Sequence, residues 1–311
     1  MRQIFRGKNE DLRAESGDEA SEDQADTTLD LTHVGPYEII APIGSGGMGT
    51  VYKAIDRSRD TTVAIKVLDR RYDLDKKRRK KDYLGREILI AATLNHPNII
   101  RMSNQIVEQQ DRNGNVRRCL IMEFIDGHNL RKYINDRELS MQQMVSFAIQ
   151  LCQGLDFLHQ HGIVHRDIKP ENFLFSRDLT KVKIVDFGLS KSDSNWRSRF
   201  FREGGGTRRY MSPEQLAKRR LDSRSDIFSL GITLYELFTG RHPCNGPTAN
   251  DIMRQMRDPR FKFDPPSKHN PAVPPQLDKV ILKCLRRNPD KRYQTVTELL
   301  MDLNRVAESR I

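Results

Sequence analysis

Four polar residues within a short part of the chain could together move a phosphoryl group from a nucleotide to a hydroxyl. Asp167 and Lys169 stand two residues apart, Asn172 follows, and Asp186 comes fourteen residues after Asn172. A carboxylate such as Asp167 can accept the hydroxyl proton and orient the oxygen, and a lysine can neutralise charge on the transferring group. Asparagine and aspartate oxygens are hard ligands of the kind that Mg²⁺ takes. The spacing therefore predicts metal-assisted phosphoryl transfer.

The two segments that carry these residues resemble the catalytic loop and the magnesium loop of the protein kinase family. His165–Asp167 opens the first segment and Asp186–Gly188 forms the second. The lysine at position 169 is typical of the serine/threonine form of the family. The resemblance implies the catalytic and metal-binding roles given above for the four residues, with ATP as the phosphoryl donor and Mg²⁺, or Mn²⁺ in its place, as the metal.

A glycine-rich run near the start of the chain lies between two predicted strands. Tyr37–Ile43 and Thr50–Asp56 read as the strands, and the residues between them are Gly44-Ser45-Gly46-Gly47-Met48-Gly49. Glycine lets the backbone approach phosphates because no Cβ stands in the way. A dinucleotide-binding fold would place such a run between a strand and a helix, so this arrangement argues against that fold. The run also resembles the glycine-rich loop of bacterial members of the kinase family.

A third predicted strand, Thr61–Leu68, carries Lys66. The resemblance implies that Lys66 reaches the α- and β-phosphates of ATP and that a carboxylate holds it in place. Glu87 is the only glutamate between Lys66 and Glu108, and it opens a run with an apolar helical face. Glu87 is therefore the predicted partner of Lys66.

The segment Leu120–Ile125 resembles the last strand of the small lobe and the hinge. The resemblance implies that Met122 is the gatekeeper beside the adenine and that the backbone of Glu123 and Ile125 binds the adenine edge. The nucleotide-binding residues implied by the resemblance are Ile43, Gly44, Ser45, Gly46, Gly47, Met48, Gly49, Val51, Ala64, Lys66, Met122, Glu123, Ile125 and Leu174.

The chain beyond Gly127 has a helical pattern. Ser140 and Gln143 have the spacing of a capping box. The run from Asp226 to Leu237 is apolar nearly all round, which predicts a buried helix. The resemblance implies that Asp226 anchors the backbone of the catalytic loop.

The segment from Asp186 to Glu214 resembles an activation loop, and Glu214 is expected to pair with Arg292. In the family, an arginine at the position of Arg166 usually meets a phosphorylated residue of this loop. The corresponding position here is Glu203, and residues 199–206 contain no Ser, Thr or Tyr. We hypothesise that Glu203 partly replaces a phosphate, because a carboxylate carries one charge and a phosphate nearly two. Unchanged activity of Glu203→Gln would contradict this hypothesis.

Two positions bear on substrate choice. Asn129 occupies a place where some basophilic members of the family carry an acid, whereas Glu171 remains available. The resemblance therefore does not support a strong demand for arginine upstream of the phosphorylated residue.

Composition limits the class of protein. The chain has 311 residues with 37% hydrophobic content, which is adequate for a core, and no stretch approaches the roughly 18 apolar residues of a membrane span. No secretory signal is visible in the first residues. The four cysteines have no metal-binding spacing and are expected to be reduced: Cys119, Cys152, Cys244 and Cys284. A cytoplasmic location is therefore expected.

Charge is unevenly distributed along the chain. Residues 1–36 hold four basic and nine acidic side chains without apolar periodicity, which predicts a disordered acidic tail. The whole chain nevertheless carries a net charge of +11, so the remainder is strongly basic. The run Lys76–Lys81 could bind an acidic partner, nucleic acid or the tail, although a solvated helix entrance is the default interpretation.

We expect an α+β, two-lobed, protein-kinase-like fold over residues 37–306. A small, mainly antiparallel β lobe with one helix would occupy residues 37–125 together with the hinge. A larger, mainly α-helical lobe would occupy residues 126–306. The expected function is transfer of the γ-phosphoryl group of ATP to Ser or Thr hydroxyls of protein substrates, with autophosphorylation. The sequence does not indicate an oligomeric state.

Three other functions are compatible with parts of the sequence. A catalytically weak kinase-fold scaffold would be favoured by loss of Lys66, Asp167 or Asp186, and all three are present. A small-molecule kinase would lack the peptide-binding platform that Thr207–Glu214 resembles. Nucleic-acid binding through Lys76–Lys81 could coexist with catalysis and would show as a steep salt dependence.

Overall fold

A computed structural model describes residues 31–46, 49–69, 91–187, 207–246 and 248–309. These residues belong to one compact unit that begins at Leu31. Several sequence predictions lie outside the described residues: those on Gly47, Met48, Glu87, Glu203, the run Lys76–Lys81 and most of the acidic tail.

The small lobe is built on an antiparallel sheet. Its strands are β1 (His33–Val34), β2 (Tyr37–Gly46), β3 (Gly49–Asp56), β4 (Thr61–Leu68), β5 (Met102–Gln110) and β6 (Val116–Glu123). Their order across the sheet is β1-β2-β3-β4-β6-β5. The last five residues of β4 are all buried, and the strand lies in the interior of the sheet, between β3 and β6.

The sheet includes more of the glycine-rich run than the sequence predicts. The sequence predicts that the first strand ends at Ile43, whereas β2 continues to Gly46, which pairs with Gly49 of β3. Gly49 has a φ of 131°, and a Cβ there would lie 2.0 Å from the carbonyl oxygen of Val67. Glycine at this position is therefore required by the close approach of β3 to β4, because any other side chain would collide with backbone.

Packing begins before Tyr37. Within residues 31–36, which the sequence assigned to the tail, β1 pairs with β2, and Leu31 and Val34 are buried. These apolar side chains are the last two before the predicted strand, and they remove hydrophobic surface from water as they pack. The start of the folded domain thus extends a few residues toward the N-terminus.

A hairpin joins β5 to β6. Gly114 has a φ of 75° at its tip. A buried ion pair closes its base, with Arg117 Nε 2.9 Å from Asp111 Oδ2. The same aspartate accepts the backbone N–H groups of Asn113 and Asn115. Local turn chemistry and this pair fix the register of the two strands.

The larger lobe is mainly helical. Its helices are α1 (Leu130–Asp136), α2 (Met141–Gln160), α3 (Pro213–Leu216), α4 (Ser223–Thr239), α5 (Ala249–Arg257), α6 (Pro275–Cys284) and α7 (Val296–Glu308). The capping box of Ser140 and Gln143 starts α2 as predicted. Helix α4, the central helix of this lobe, is buried at every position from Ser225 to Thr239. This confirms the buried helix predicted from Asp226 to Leu237.

A second small antiparallel sheet lies in the larger lobe. It consists of β7 (Gly127–Asn129), β8 (Phe173–Ser176) and β9 (Val182–Ile184). Phe173 pairs with Ile184. Because β8 begins immediately after Asn172 and β9 ends two residues before Asp186, this pairing places those two residues at the same end of the hairpin. The α+β, two-lobed fold predicted from the sequence is confirmed.

Candidate active site

The catalytic loop is held from below by one buried carboxylate of α4. Asp226 Oδ2 accepts the backbone N–H of His165, and Oδ1 accepts that of Arg166, both at 2.7 Å. His159 Nε2 lies 2.8 Å from Oδ2. Arg166 has a φ of 68°, a conformation that is strained for a residue with a side chain. The two backbone N–H groups that donate to Asp226 hold that backbone in place, as the resemblance implied.

His165 connects the catalytic loop to the segment before Asp186. Its Nδ1 accepts the backbone N–H of Asp167 at 3.3 Å, and its Nε2 lies 3.0 Å from the carbonyl oxygen of Val185. Because Nδ1 accepts a hydrogen bond, Nε2 carries the proton and donates a hydrogen bond to the carbonyl oxygen of Val185. The side chain is fully buried. His165 is therefore a structural residue.

Asp167 is positioned by its two polar neighbours in the loop. Lys169 Nζ lies 2.9 Å from Asp167 Oδ2. Asn172 Nδ2 donates to the backbone oxygen of Asp167 at 2.7 Å and to Oδ2 at 3.1 Å. The three residues predicted to act together are thus joined by direct contacts, and the carboxylate is fixed by both a cation and an amide.

Lys66 contacts the second aspartate of the predicted site. Its Nζ lies 2.6 Å from Asp186 Oδ1, and the lysine is almost completely buried. Burial alone would raise the pKa of Asp186, but Lys66 outweighs it and holds that pKa below its usual value. Asp186 has a φ of 61°, a further strained residue at the site. This ion pair was not predicted; the expected partner, Glu87, lies outside the described residues.

The chemistry of Asn172 and Asp186 fits a hard divalent cation. The backbone N–H of Val185 donates to the carbonyl oxygen of Asn172 at 3.0 Å, so Asn172 and Asp186 flank one hydrogen bond. The Asn172 amide nitrogen is committed to Asp167, which leaves the amide oxygen as the ligand atom. An ionised carboxylate and an amide oxygen are ligands that Mg²⁺ takes alongside phosphate oxygens.

Sheet register brings several predicted nucleotide-binding residues side by side. Val51 pairs with Gly44 on one side and with Lys66 on the other, while Ala64 pairs with Met122. The apolar members Ile43, Val51, Met122, Ile125 and Leu174 are all partly or largely exposed. Apolar side chains that remain exposed beside a buried lysine suit a flat heterocycle.

A polar network that the sequence did not indicate links three elements beside the catalytic loop. Arg131 Nε lies 2.9 Å from Glu171 Oε1, and Arg131 Nη2 lies 3.0 Å from Glu236 Oε2. Arg131 Nη2 also donates to the hydroxyl of Tyr210, which itself donates to Glu236 Oε2 at 2.6 Å. Burial and the neighbouring Glu236 raise the pKa of Tyr210 well above its usual value, so the phenol stays protonated.

The segment after the activation loop is clamped to the body by a buried ion pair. Arg292 Nη1 and Nη2 lie 2.6 and 2.8 Å from the two oxygens of Glu214, which confirms the predicted pair. Ser225 Oγ donates to Glu214 at 2.8 Å. Gln215, in the capping box of α3, donates to the carbonyl oxygen of Arg166 at 2.9 Å. These contacts tie α3 to the catalytic loop.

Sequence separation explains which contacts were missed. Asp167, Lys169 and Asn172 lie within one motif, whereas Arg131 is 40, 79 and 105 residues from its three partners. A single arginine on a short helix carries no signal that distinguishes it from a solvated one.

Comparison with known proteins supports the resemblance to the protein kinase family. Residues 37–302 match the family described as the protein kinase domain. The chain is 38% identical over 279 residues to the serine/threonine-protein kinase PknB of Mycolicibacterium smegmatis, covering 88% of this chain and 43% of that protein. It is 34% identical over 277 residues to a probable serine/threonine-protein kinase of Clostridium acetobutylicum, covering 88% and 40%. The chain thus spans less than half the length of these relatives.

Solved structures agree on the fold. The crystal structure of the Mycobacterium tuberculosis PknI kinase domain superimposes with a TM-score of 0.65 at 23% sequence identity, covering 90% of this chain and 99% of that one. Given the match over most of its residues and the relatives above 30% identity, the chain belongs to the protein kinase family.

Proposed function

We propose that the chain is an ATP-dependent serine/threonine protein kinase, and that it phosphorylates itself as well as other proteins. One observation carries the proposal. Asp167, Lys169 and Asn172 form a cluster joined by an ion pair and a hydrogen bond, and this cluster lies beside the Lys66–Asp186 ion pair. These residues provide a carboxylate that can accept the hydroxyl proton, cations that can neutralise phosphate charge, and oxygen ligands for a metal.

Asp167 acts on the substrate hydroxyl in this proposal. Its carboxylate accepts the hydroxyl proton and aligns the oxygen with the γ-phosphorus. Lys169, 2.9 Å from the same carboxylate, neutralises negative charge on the transferring group. Phosphoryl transfer has a loose transition state, so positioning and charge stabilisation supply most of the rate enhancement. The strained backbone held by Asp226 serves that positioning.

Lys66 and the hinge would hold the nucleotide. Lys66 would contact the α- and β-phosphates, and its pairing with Asp186 keeps it directed into the site. The backbone N–H of Glu123 donates to the carbonyl oxygen of Arg101 at 3.0 Å. We therefore assign the carbonyl oxygen of Glu123 and the backbone of Ile125 to the adenine edge, with Met122 as the gatekeeper beside it.

Asn172 and Asp186 would hold Mg²⁺, with Mn²⁺ as a substitute. When bound, the metal screens the negative charge of the phosphates. Holding Asp186 ionised is the contribution of Lys66, because it keeps the pKa of that carboxyl low. The Asn172 side chain is oriented by its hydrogen bonds to Asp167, so the metal site and the proposed base share one support.

The cellular location is also a proposal. Among the described residues no helix is long and apolar enough to cross a membrane. All four cysteines are buried thiols that form no disulfide with one another, which suits a reducing compartment. We propose the cytoplasm for this domain.

The scaffold alternative finds no support in the site. Lys66, Asp167 and Asp186 are all present, Lys66 contacts Asp186, and Asp167 contacts Lys169. Transfer of radiolabelled phosphate from [γ-³²P]ATP with Mg²⁺ to a generic protein substrate tests the proposal, with analysis of the labelled amino acids. Label on serine or threonine is the expected result. ATP binding without any phosphoryl transfer would support the scaffold interpretation instead. Label on tyrosine would overturn the proposed specificity for serine and threonine.

A further inference from the structure

Beside the proposed base lies a pair of carboxylates already occupied by a cation of the same chain. Glu171 belongs to the 3₁₀ turn Pro170–Asn172 of the catalytic loop, and Glu236 belongs to α4. The guanidinium of Arg131 reaches both, at 2.9 and 3.0 Å. The network therefore connects α1, the catalytic loop and the central helix at one point.

The geometry is that of a complete arginine-binding site. Two carboxylates and the hydroxyl of Tyr210 converge on one guanidinium, which uses Nε and Nη2 for separate partners. Although burial disfavours its charged form, Glu236, Tyr210 and Glu171 raise the pKa of Arg131. Planar, multiply bonded guanidinium recognition of this kind is specific to arginine and is poorly reproduced by lysine.

The site is open to solvent on the side of the catalytic loop. The side chain of Glu171 is 42% exposed and that of Arg131 is 29% exposed, whereas that of Glu236 is 5% exposed. Glu171 follows Asp167 by four residues in the same loop. A peptide whose hydroxyl lies at Asp167 must therefore pass near this network.

We propose that Arg131 is a specificity-determining residue that fills the carboxylate pair Glu171–Glu236 and so denies it to an arginine of the substrate. The proposal rests on the proposed kinase function and names its substrate class: Ser/Thr sites that lack arginine at the position reaching this network. A substrate arginine would have to displace an intramolecular guanidinium that is already ordered, and this competition is unfavourable. The earlier expectation that Glu171 remains available is thus corrected, because the Glu171 carboxylate is engaged by Arg131.

Positional peptide libraries test the inference. Serine peptides that carry Arg, Gln or Glu at each flanking position in turn are phosphorylated by the wild type, by Arg131→Ala and by Arg131→Ala/Glu171→Gln. The wild type is expected to use arginine no better than glutamine at every position. Arg131→Ala is expected to gain about tenfold in the Arg/Gln ratio of kcat/KM at one or two positions, the size of one charge-assisted hydrogen bond. The added Glu171→Gln change is expected to remove most of that gain.

A matched control comes from the same helix. Lys132 is a cation of α1 that pairs with Asp136 at 2.6 Å, away from the network. Lys132→Ala is expected to leave every Arg/Gln ratio unchanged. Equal gains in Lys132→Ala and Arg131→Ala would show a general charge effect and overturn the inference. A wild type that already prefers arginine, with the preference lost in Glu171→Gln, would overturn it as well.

A second measurement does not depend on turnover. N-Ethylguanidine should bind in the space left in Arg131→Ala and raise the melting temperature of that variant more than that of the wild type. The uncharged N-ethylurea should raise neither. Equal shifts in both proteins would contradict the inference even if no peptide were phosphorylated. If no phosphoryl transfer occurs but N-ethylguanidine still raises the melting temperature of Arg131→Ala, the result counts against the proposed function alone.

Discussion

Lys66 and Asp186 form an ion pair across the proposed nucleotide site, with Nζ 2.6 Å from Oδ1 although 120 residues separate them in sequence. The lysine is 3% exposed, so its charge has no access to bulk water and depends on this partner. The pair joins β4 of the small lobe to the segment that follows β9 of the larger one.

Loss of this lysine should be visible in both rate and pH dependence. We predict that Lys66→Met lowers kcat/KM by about 10²–10³-fold, because a preorganised charge is removed from the site. Lys66 holds the pKa of Asp186 below its usual value against the effect of burial. In Lys66→Met the acid limb of the kcat/KM profile should therefore move to higher pH. Because the wild-type pKa lies below the ordinary value of 3.8, steady-state kinetics from about pH 4 to 9 should show an acid limb within this range for Lys66→Met and none from Asp186 for the wild type. The same profile in both proteins would show that Lys66 does not tune Asp186.

Replacement of Asp226 should weaken the support of the catalytic loop. In Asp226→Asn one of the two acceptors of the His165 and Arg166 N–H groups becomes an amide NH₂ that faces a donor. We predict a loss of about 1–3 kcal/mol in the free energy of unfolding and a lower kcat, because the strained Arg166 backbone is no longer held. Urea denaturation and single-turnover kinetics measure the two effects.

The N-cap of the same helix provides the control for that change. Asp222 caps α4 by accepting the backbone N–H of Arg224, and asparagine caps as well as aspartate. Asp222→Asn should stay within about 0.5 kcal/mol of the wild type. Equal losses in Asp222→Asn and Asp226→Asn would contradict a special role for Asp226.

Two glycines of the same run should respond differently to alanine. A Cβ at Gly49 would lie 2.0 Å from the Val67 carbonyl oxygen, whereas a Cβ at Gly44 would meet nothing within 4 Å. We predict that Gly49→Ala lowers the melting temperature clearly, and that Gly44→Ala leaves it nearly unchanged while raising the KM for ATP. Calorimetry and kinetics on both variants separate fold from ligand approach. Equal melting temperatures would show that β3 and β4 move apart at little cost.

The buried pair Glu214–Arg292 should make stability depend on pH. Burial would raise the pKa of Glu214, but the hydrogen bonds from Arg292 and Ser225 hold it below its usual value near 4.5. A carboxyl with a lowered pKa in the folded state adds stability above its unfolded pKa, and this stability is lost as pH falls below about 4.5. The wild type should therefore lose stability more steeply than Glu214→Gln between pH 5 and 3.

The same variant should also be weaker at neutral pH. Removal of one partner from a buried pair costs about 3–5 kcal/mol, so Glu214→Gln should unfold at lower urea concentration at pH 7. Parallel curves of unfolding free energy against pH for the two proteins would mean that Glu214 does not carry the dependence.

Local signals explain what could be predicted from the sequence. The hairpin at Gly114 and the capping box of Ser140 follow from turn and cap chemistry within a few residues. The roles of Asp226 and Glu214 came from motifs whose partners are fixed by the family resemblance. The extension of β2 to Gly46 was missed because glycine has low strand propensity, and here the ladder with β3 overrides it.

The Arg131 network was beyond sequence reasoning for a different reason. Its members come from α1, the catalytic loop, the Thr207–Tyr210 turn and α4, and each is an ordinary residue in its own segment. Only the fold brings Glu171 and Glu236 within reach of one guanidinium. Contacts between elements far apart in sequence leave no local periodicity to detect.

Phosphoryl transfer by Asp167→Asn beside the wild type tests the central claim most directly. Asparagine keeps the size of the side chain and removes the carboxylate that accepts the hydroxyl proton. With [γ-³²P]ATP and Mg²⁺, we predict label on serine or threonine for the wild type and a loss of about 10²-fold or more for the variant, with ATP still bound. Equal labelling by the two proteins would contradict the assignment of Asp167 as the residue that activates the substrate hydroxyl.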